Sequence, residues 1–204
     1  MPRSDALSNP GTSKVFLCLV KGITNPTAIA EELKIKPPPV IQQLRRLQNL
    51  GLVELGTKEG KAQNYDVNWK AFVDRLVEET LTEDIASGDT KKDSEEYAAA
   101  TKKISSLKHN WFFLEFVKLY FQKFTDNGSG WPSEHSDWPT IAEIIGTMNA
   151  VMTTLESFKR DEPFADLELQ DFHDKMVLWH ERNTHTQTWM KDNMAKAIDE
   201  TLTP

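Results

Sequence analysis

The 204 residues, 39% of them hydrophobic, suffice for one large or two small packed cores without covalent staples, and the formal net charge is −7. A single cysteine, Cys18, excludes an intramolecular disulfide and a thiolate metal cluster within one chain, so a reducing cytoplasm is the expected setting. The charge is uneven. Residues 13–78 carry 10 Lys+Arg against 7 Asp+Glu, while the chain from Glu79 onward carries 13 against 23, so the first third alone is suited to meeting phosphate.

Residues 1–12 have no periodicity and predict a mobile arm without an apolar leader region. Ser13 is placed to cap a first helix in which Val15, Phe16 and Leu19 share a face and Gly22 ends the run; Cys18 reads as a small buried core residue. Pro26 suits a first helical position behind Thr24 or Asn25, with Ala28, Ile29 and Leu33 forming an apolar face that ends near Lys34. A residue before proline is pushed out of the α region, so Pro37 and Pro38 are expected to be extended, with the next helix starting near Pro39. Val40, Leu44 and Leu47 recur at i, i+4, i+7, and Gly51 is placed to stop this helix in a left-handed conformation. Gln42, Gln43, Arg45 and Arg46 fall outside that stripe. LVEL, a turn TKEGK with Gly60, and AQNYDV then predict a two-stranded hairpin.

The runs AIAEEL and VIQQLRRLQNLGLVE, followed by a basic turn and YDV, make residues 13–77 resemble the winged helix-turn-helix domain of prokaryotic regulators of the ArsR and MarR kinds. The resemblance implies a second helix in the DNA major groove, a first helix against the backbone, and a wing on flanking phosphates. It departs from the family at Pro37, Pro38 and Pro39, and at Ile41. Carried onto this sequence, Gln42, Gln43 and Arg46 would read base edges, and Lys36, Arg45, Lys58 and Lys61 would hold phosphates, helped by the helix start near Thr27. Pro38 and its neighbours would present an apolar ridge, suited to a thymine methyl or to a protein partner.

Beyond the hairpin, Asn68 can cap a helix with Trp69, Phe72, Val73 and Leu76 on one face, and residues 83–94 read as a linker. A long helix is expected over 95–124, where Ile104, Leu107, Trp111, Leu114, Val117 and Phe121 recur at spacings of 3 and 4. Asp137 is placed to cap a helix bearing Ile141, Ile144, Met148, Met152 and Leu155, and a last helix is expected over 165–201. The fold class is therefore mainly α: a flexible arm (1–12), a winged helix-turn-helix domain with its exit helix (13–82), a linker (83–94) and an all-helical region (95–204).

No glycine-rich phosphate loop, GxSxG, HExxH or paired-cysteine spacing occurs, so neither an enzyme nor a bound cofactor is indicated. His173, His180 and His185 with Glu181 lack the i, i+4 spacing of helical metal ligands and read as ordinary histidines. The aromatic run NWFFLEFVKLYFQKF reads as core and dimer packing first, and as the lining of a small apolar ligand's pocket second. The expectation is a cytoplasmic, homodimeric regulator of transcription that binds double-stranded DNA. An adaptor that keeps the fold for protein interaction is the alternative.

Overall fold

The computed structural model describes residues 7, 9–59, 62–77, 98, 102, 106, 110–126, 139, 141–162, 165–166 and 184–202. Their elements are α1 (Pro10–Val20), α2 (Pro26–Glu32), α3 (Pro37–Asn49), β1 (Val53–Glu59), β2 (Ala62–Val67), α4 (69–77), α5 (Trp111–Asp126), α6 (Ile141–Phe158) and α7 (Thr184–Leu202), with a 3₁₀ turn at Lys159–Asp161. Three helices and an antiparallel hairpin thus precede elements that are, among the described residues, all helical, a winged-helix-like layout.

Helix starts follow local chemistry, and those of α1 and α3 differ from expectation. Asn9, not Ser13, caps α1: its side-chain oxygen accepts from the Gly11 and Thr12 amides at 3.0 and 3.2 Å, and Pro10 follows at the first helical position. Ser13 is buried inside the helix, and Leu7, within the stretch read as an arm, is buried too. α3 begins at Pro37 rather than Pro39, so the three prolines fill its first three positions, and its cap residue Lys36 makes no side-chain capping bond. The physical reason is that the first amides of a helix have no intrahelical partner, so three residues without N–H leave nothing unsatisfied there.

α1, α2 and α3 stop alike, each with a left-handed residue followed by a 6→1 hydrogen bond. Ile23 N–H reaches Cys18 O at 2.9 Å, Ile35 N–H reaches Ala30 O at 2.9 Å, and Leu52 N–H reaches Leu47 O at 3.1 Å. The left-handed positions are Gly22, Lys34 and Gly51, with φ of 84°, 55° and 73°. Lys34 therefore holds a conformation that, among the described residues, is otherwise found only at glycine.

By contacts the chain forms two units, the first made of Met1–Arg75 with Phe121–Trp138 and the second of Leu76–Tyr120 with Pro139–Pro204. In the first, Val40, Leu44 and Leu47 of α3 are fully buried with Phe16, Ile29 and Phe72. Burial of such side chains contributes about 1.5–3 kcal/mol each, so the three together exceed the ~1 kcal/mol of a side-chain cap several times over, and packing rather than capping holds α3 in place. The Phe72 ring lies 5.0 Å from that of Phe16, tilted by 44°, and meets Phe121 edge-on at 5.0 Å. α4 starts as expected, with the Asn68 side chain accepting from the Ala71 amide at 3.1 Å.

In the second unit the expected continuous helix is interrupted. Asn110 is non-helical and buried, and its side chain accepts from the Phe113 amide at 3.2 Å, so α5 begins anew at Trp111. Phe112, Phe113, Phe116 and Tyr120 are buried, as are Ile144, Met148, Met152 and Leu155 of α6 and Met190, Met194 and Ile198 of α7. α6 packs on α7, where Thr154 and Thr201 hydroxyls lie 3.3 Å apart, and Lys191 sits 5.5 Å from the Trp111 ring centroid. Lys159, 2% exposed, is neutralised by Glu156 at 3.3 Å and donates to the Ala165 carbonyl at 3.2 Å. α6 opens at Ile141, two residues beyond the non-helical Pro139; Asp137 lies outside the described residues. Ala165 and Asp166 are in a turn rather than the start of the last helix, whose described part begins at Thr184. Residues 83–94 also lie outside the described residues.

Candidate nucleic-acid interface

α3 divides cleanly into two faces. Opposite the buried Val40, Leu44 and Leu47, the side chains of Pro38, Gln42, Arg45, Arg46 and Asn49 are exposed. Residues four apart on a helix lie one above the other, about 6 Å along its axis, so Pro38, Gln42 and Arg46 form a single outward row. Among the described residues, neither Arg45 nor Arg46 is tied into an ion pair.

Gln43 is not part of that row. It is half-buried, and its side-chain oxygen accepts a short hydrogen bond from the Thr12 hydroxyl of α1. This contact fixes α3 against α1 and leaves Gln43 a positioning role. Thr27 is exposed, but its amide is occupied by the Asn25 side chain at 2.9 Å, so the start of α2 offers no spare donor at that residue. Lys36 is exposed at the α3 cap. Lys34, absent from the sequence-derived set, is exposed two residues earlier in the left-handed turn between α2 and α3. A lysine where two helices must reverse direction is the signal that could have found it.

The hairpin is held to this group by one backbone and one side-chain hydrogen bond. Tyr65 N–H donates to Thr24 O at 3.0 Å, and Asn25 Nδ2 donates to Asn64 Oδ1 at 3.4 Å, which ties β2 to the loop before α2. Pairing runs from Val53↔Val67 to Leu55↔Tyr65, then slips by one residue before Lys58↔Gln63. The slip is a bulge at Gly56 and Thr57. Gln63 Nε2 locks it by donating to Gly56 O at 3.0 Å and Asn64 O at 2.9 Å. A Cβ on Gly56 would meet the exposed Asp66 carboxylate, whose side chain would have to turn aside. Lys58 is exposed beyond the bulge, whereas Glu54 and Asp66, also exposed, stand directly opposite each other before it. Lys61 and Gly60 lie outside the described residues.

The remaining candidates have structural partners. His185 Nε2 is 2.8 Å from Glu162 Oε2, and among the described residues no group of three or more His, Cys, Asp or Glu is arranged to hold a metal ion. His173, His180 and Glu181 lie outside the described residues. Cys18 is buried, which pushes its thiol up to about 11, with Glu32 adding to the rise and Lys21 opposing it. Burial also raises the pKa of Tyr120, against a hydrogen bond with the Thr147 side chain that lowers it. No described helix is long and apolar enough to cross a membrane.

Compared with protein families, with curated proteins and with solved structures, the chain matches none of them. Its site is therefore defined by its own geometry: a buried-backed helix with an outward row of proline, glutamine and arginine, preceded by exposed Lys34 and Lys36, and a hairpin with exposed Lys58.

Proposed function

We propose that the chain is a transcriptional regulator that binds double-stranded DNA by a winged helix-turn-helix of the ArsR and MarR kind and acts as a homodimer through its C-terminal helices. The observation that carries this reading is the exposed row Pro38, Gln42, Arg46 with Arg45 beside it, on a helix whose other face is core. Gln42 suits adenine and Arg46 suits guanine in the major groove. Lys34, Lys36, Arg45 and Lys58 hold phosphates, the sequence-independent part of affinity. The aromatic side chains of α5 are the place where a small apolar effector would act.

The test separates reading from holding. Arg46→Ala is expected to cost roughly 1–3 kcal/mol on a duplex selected from a random pool and to flatten discrimination, whereas Lys58→Ala weakens all duplexes alike and lowers the salt slope by about 1. Identical behaviour of the two variants would remove α3 from the groove. Sedimentation equilibrium of the full chain should give twice 23.3 kDa.

A second reading, a winged-helix adaptor for protein partners, is favoured by the exposure of Ile35 (46%) and Leu55 (56%) beside the same helix and on the wing. Failure to enrich any duplex, with retention of an acidic protein partner, would select it.

A further inference from the structure

We infer, resting on the DNA-binding reading, that the proline turn opening α3 reads thymine 5-methyl groups, so that each half-site carries a thymine beneath Pro38, an adenine beneath Gln42 and a guanine beneath Arg46. Pro37, Pro38 and Pro39 are all exposed and occupy the first three helical positions. In most helices those positions point donors outward, and an anion is the natural ligand. Here the three donors are absent and rigid hydrocarbon replaces them, so the turn cannot hold a phosphate and is matched instead to an apolar group.

The surrounding charge says which apolar group. Lys34 and Lys36 are exposed immediately before the ridge, and Arg45 is exposed beyond it, beside the base-reading Arg46. A matching partner presents a narrow apolar strip bordered by anions on both sides. The major groove, about 12 Å wide between phosphate rims and carrying the thymine methyl as its apolar feature, has that pattern. Pro38, Gln42 and Arg46 are each four residues apart, about 6 Å along the helix, which corresponds to roughly two base pairs at 3.4 Å each. The three contacts therefore fall on alternate base pairs rather than on adjacent ones.

The full chain is used to select duplexes from a random pool, and each thymine of the enriched site is then replaced in turn by deoxyuridine, which removes the methyl and nothing else. One thymine per half-site, about two base pairs from a required adenine, is expected to lose about fourfold in affinity, the equivalent of one buried methylene. Pro38→Ser should bring that thymine-to-uracil ratio close to one with helicity unchanged by circular dichroism, and Lys58→Ala should weaken both duplexes while preserving the fourfold ratio. An enriched site whose thymines all tolerate uracil, or a fourfold ratio that survives Pro38→Ser, overturns the inference and leaves the DNA-binding reading standing. Enrichment of no duplex at all overturns both.

Discussion

A serine placed at position 36 should fail to cap α3, and it should succeed once the prolines are removed. Lys36 is the cap residue, with φ −78° and ψ 150°, a conformation from which a serine hydroxyl ordinarily accepts the amide of the second or third helical residue. Those residues are Pro38 and Pro39, which have no amide hydrogen. In the parent chain, Lys36→Ser should therefore change stability by no more than about 0.5 kcal/mol, the usual range for an exposed substitution. In a Pro38→Ala, Pro39→Ala background the same substitution should add about 1 kcal/mol, because two unpartnered donors now face it. The loss of proline rigidity, itself worth about 0.4–1 kcal/mol through the unfolded chain, cancels in the double-mutant cycle. Native-state hydrogen exchange at the Leu44 and Leu47 amides reads the unit that contains α3, without requiring the two units to unfold together. A gain of about 1 kcal/mol in the parent, or a coupling of zero, would refute the assignment of all three prolines to the first helical turn.

Lys34→Gly should stabilise the first unit by roughly 0.5–1 kcal/mol, since relief of a left-handed lysine exceeds the added freedom of glycine in the unfolded chain; a shift of the urea midpoint checks it, and on the proposed DNA-binding reading the same variant should weaken binding to all duplexes. Asn110→Ala removes a cap and leaves the Phe113 amide without its partner in a buried setting, and should cost about 1–2 kcal/mol, seen as faster exchange of the first α5 amides. The Cys18 thiol should resist disulfide reagents at pH 8 until the chain unfolds. Its folded value of about 11 lies above the unfolded value of 9.0, so the folded state holds the proton longer, and stability should fall as pH rises from 9 to 11 and be unaffected by this group below 9. Cys18→Ala should abolish that slope.

Much of the N-terminal fold was legible because its signals are local. The Val40, Leu44, Leu47 stripe, the left-handed Gly22 and Gly51, and the caps at Asn25 and Asn68 each follow from a few neighbouring residues. What was misread needed comparison between competing signals. Pro37 and Pro38 looked extended when each was judged by its effect on the residue before it, yet together they fit the one helical turn that has no use for amides. Ser13 and Asn9 are both capping residues, and Pro10 after Asn9 decided between them. The break at Asn110 was hidden because Leu107, Trp111 and Leu114 keep the helical spacing across it. For the candidate site, the outward position of Gln42, Arg45 and Arg46 could be read from periodicity, whereas the capture of Gln43 by Thr12, 31 residues away, could not. Neither could the bulge at Gly56 and Thr57, whose bonds come from Gln63 on the opposite strand.

The bulge bears on how a wing of this composition could approach a polyanion. Glu54 and Asp66 face each other across the hairpin, a like-charge pair that costs a sheet roughly 0.2–1 kcal/mol and would repel phosphate. Without the extra residue, Lys58 would continue the regular alternation that places Glu54 and Asp66. With it, the strand gains a bend and extra twist between the carboxylates and Lys58, so the cation and the acids need not share one direction. Gln63 holds that bend with two hydrogen bonds, to Gly56 O and Asn64 O, and Asn64 is itself joined to Asn25 at the start of α2. The wing's one described exposed lysine is thus positioned by a chain of side-chain contacts that ends on the helix preceding α3. On the DNA-binding reading, that linkage fixes the distance between the phosphate contact at Lys58 and the groove contacts at Gln42 and Arg46. It also explains why an acidic strand could serve in a wing, because the acids stand before the bend and the cation stands beyond it.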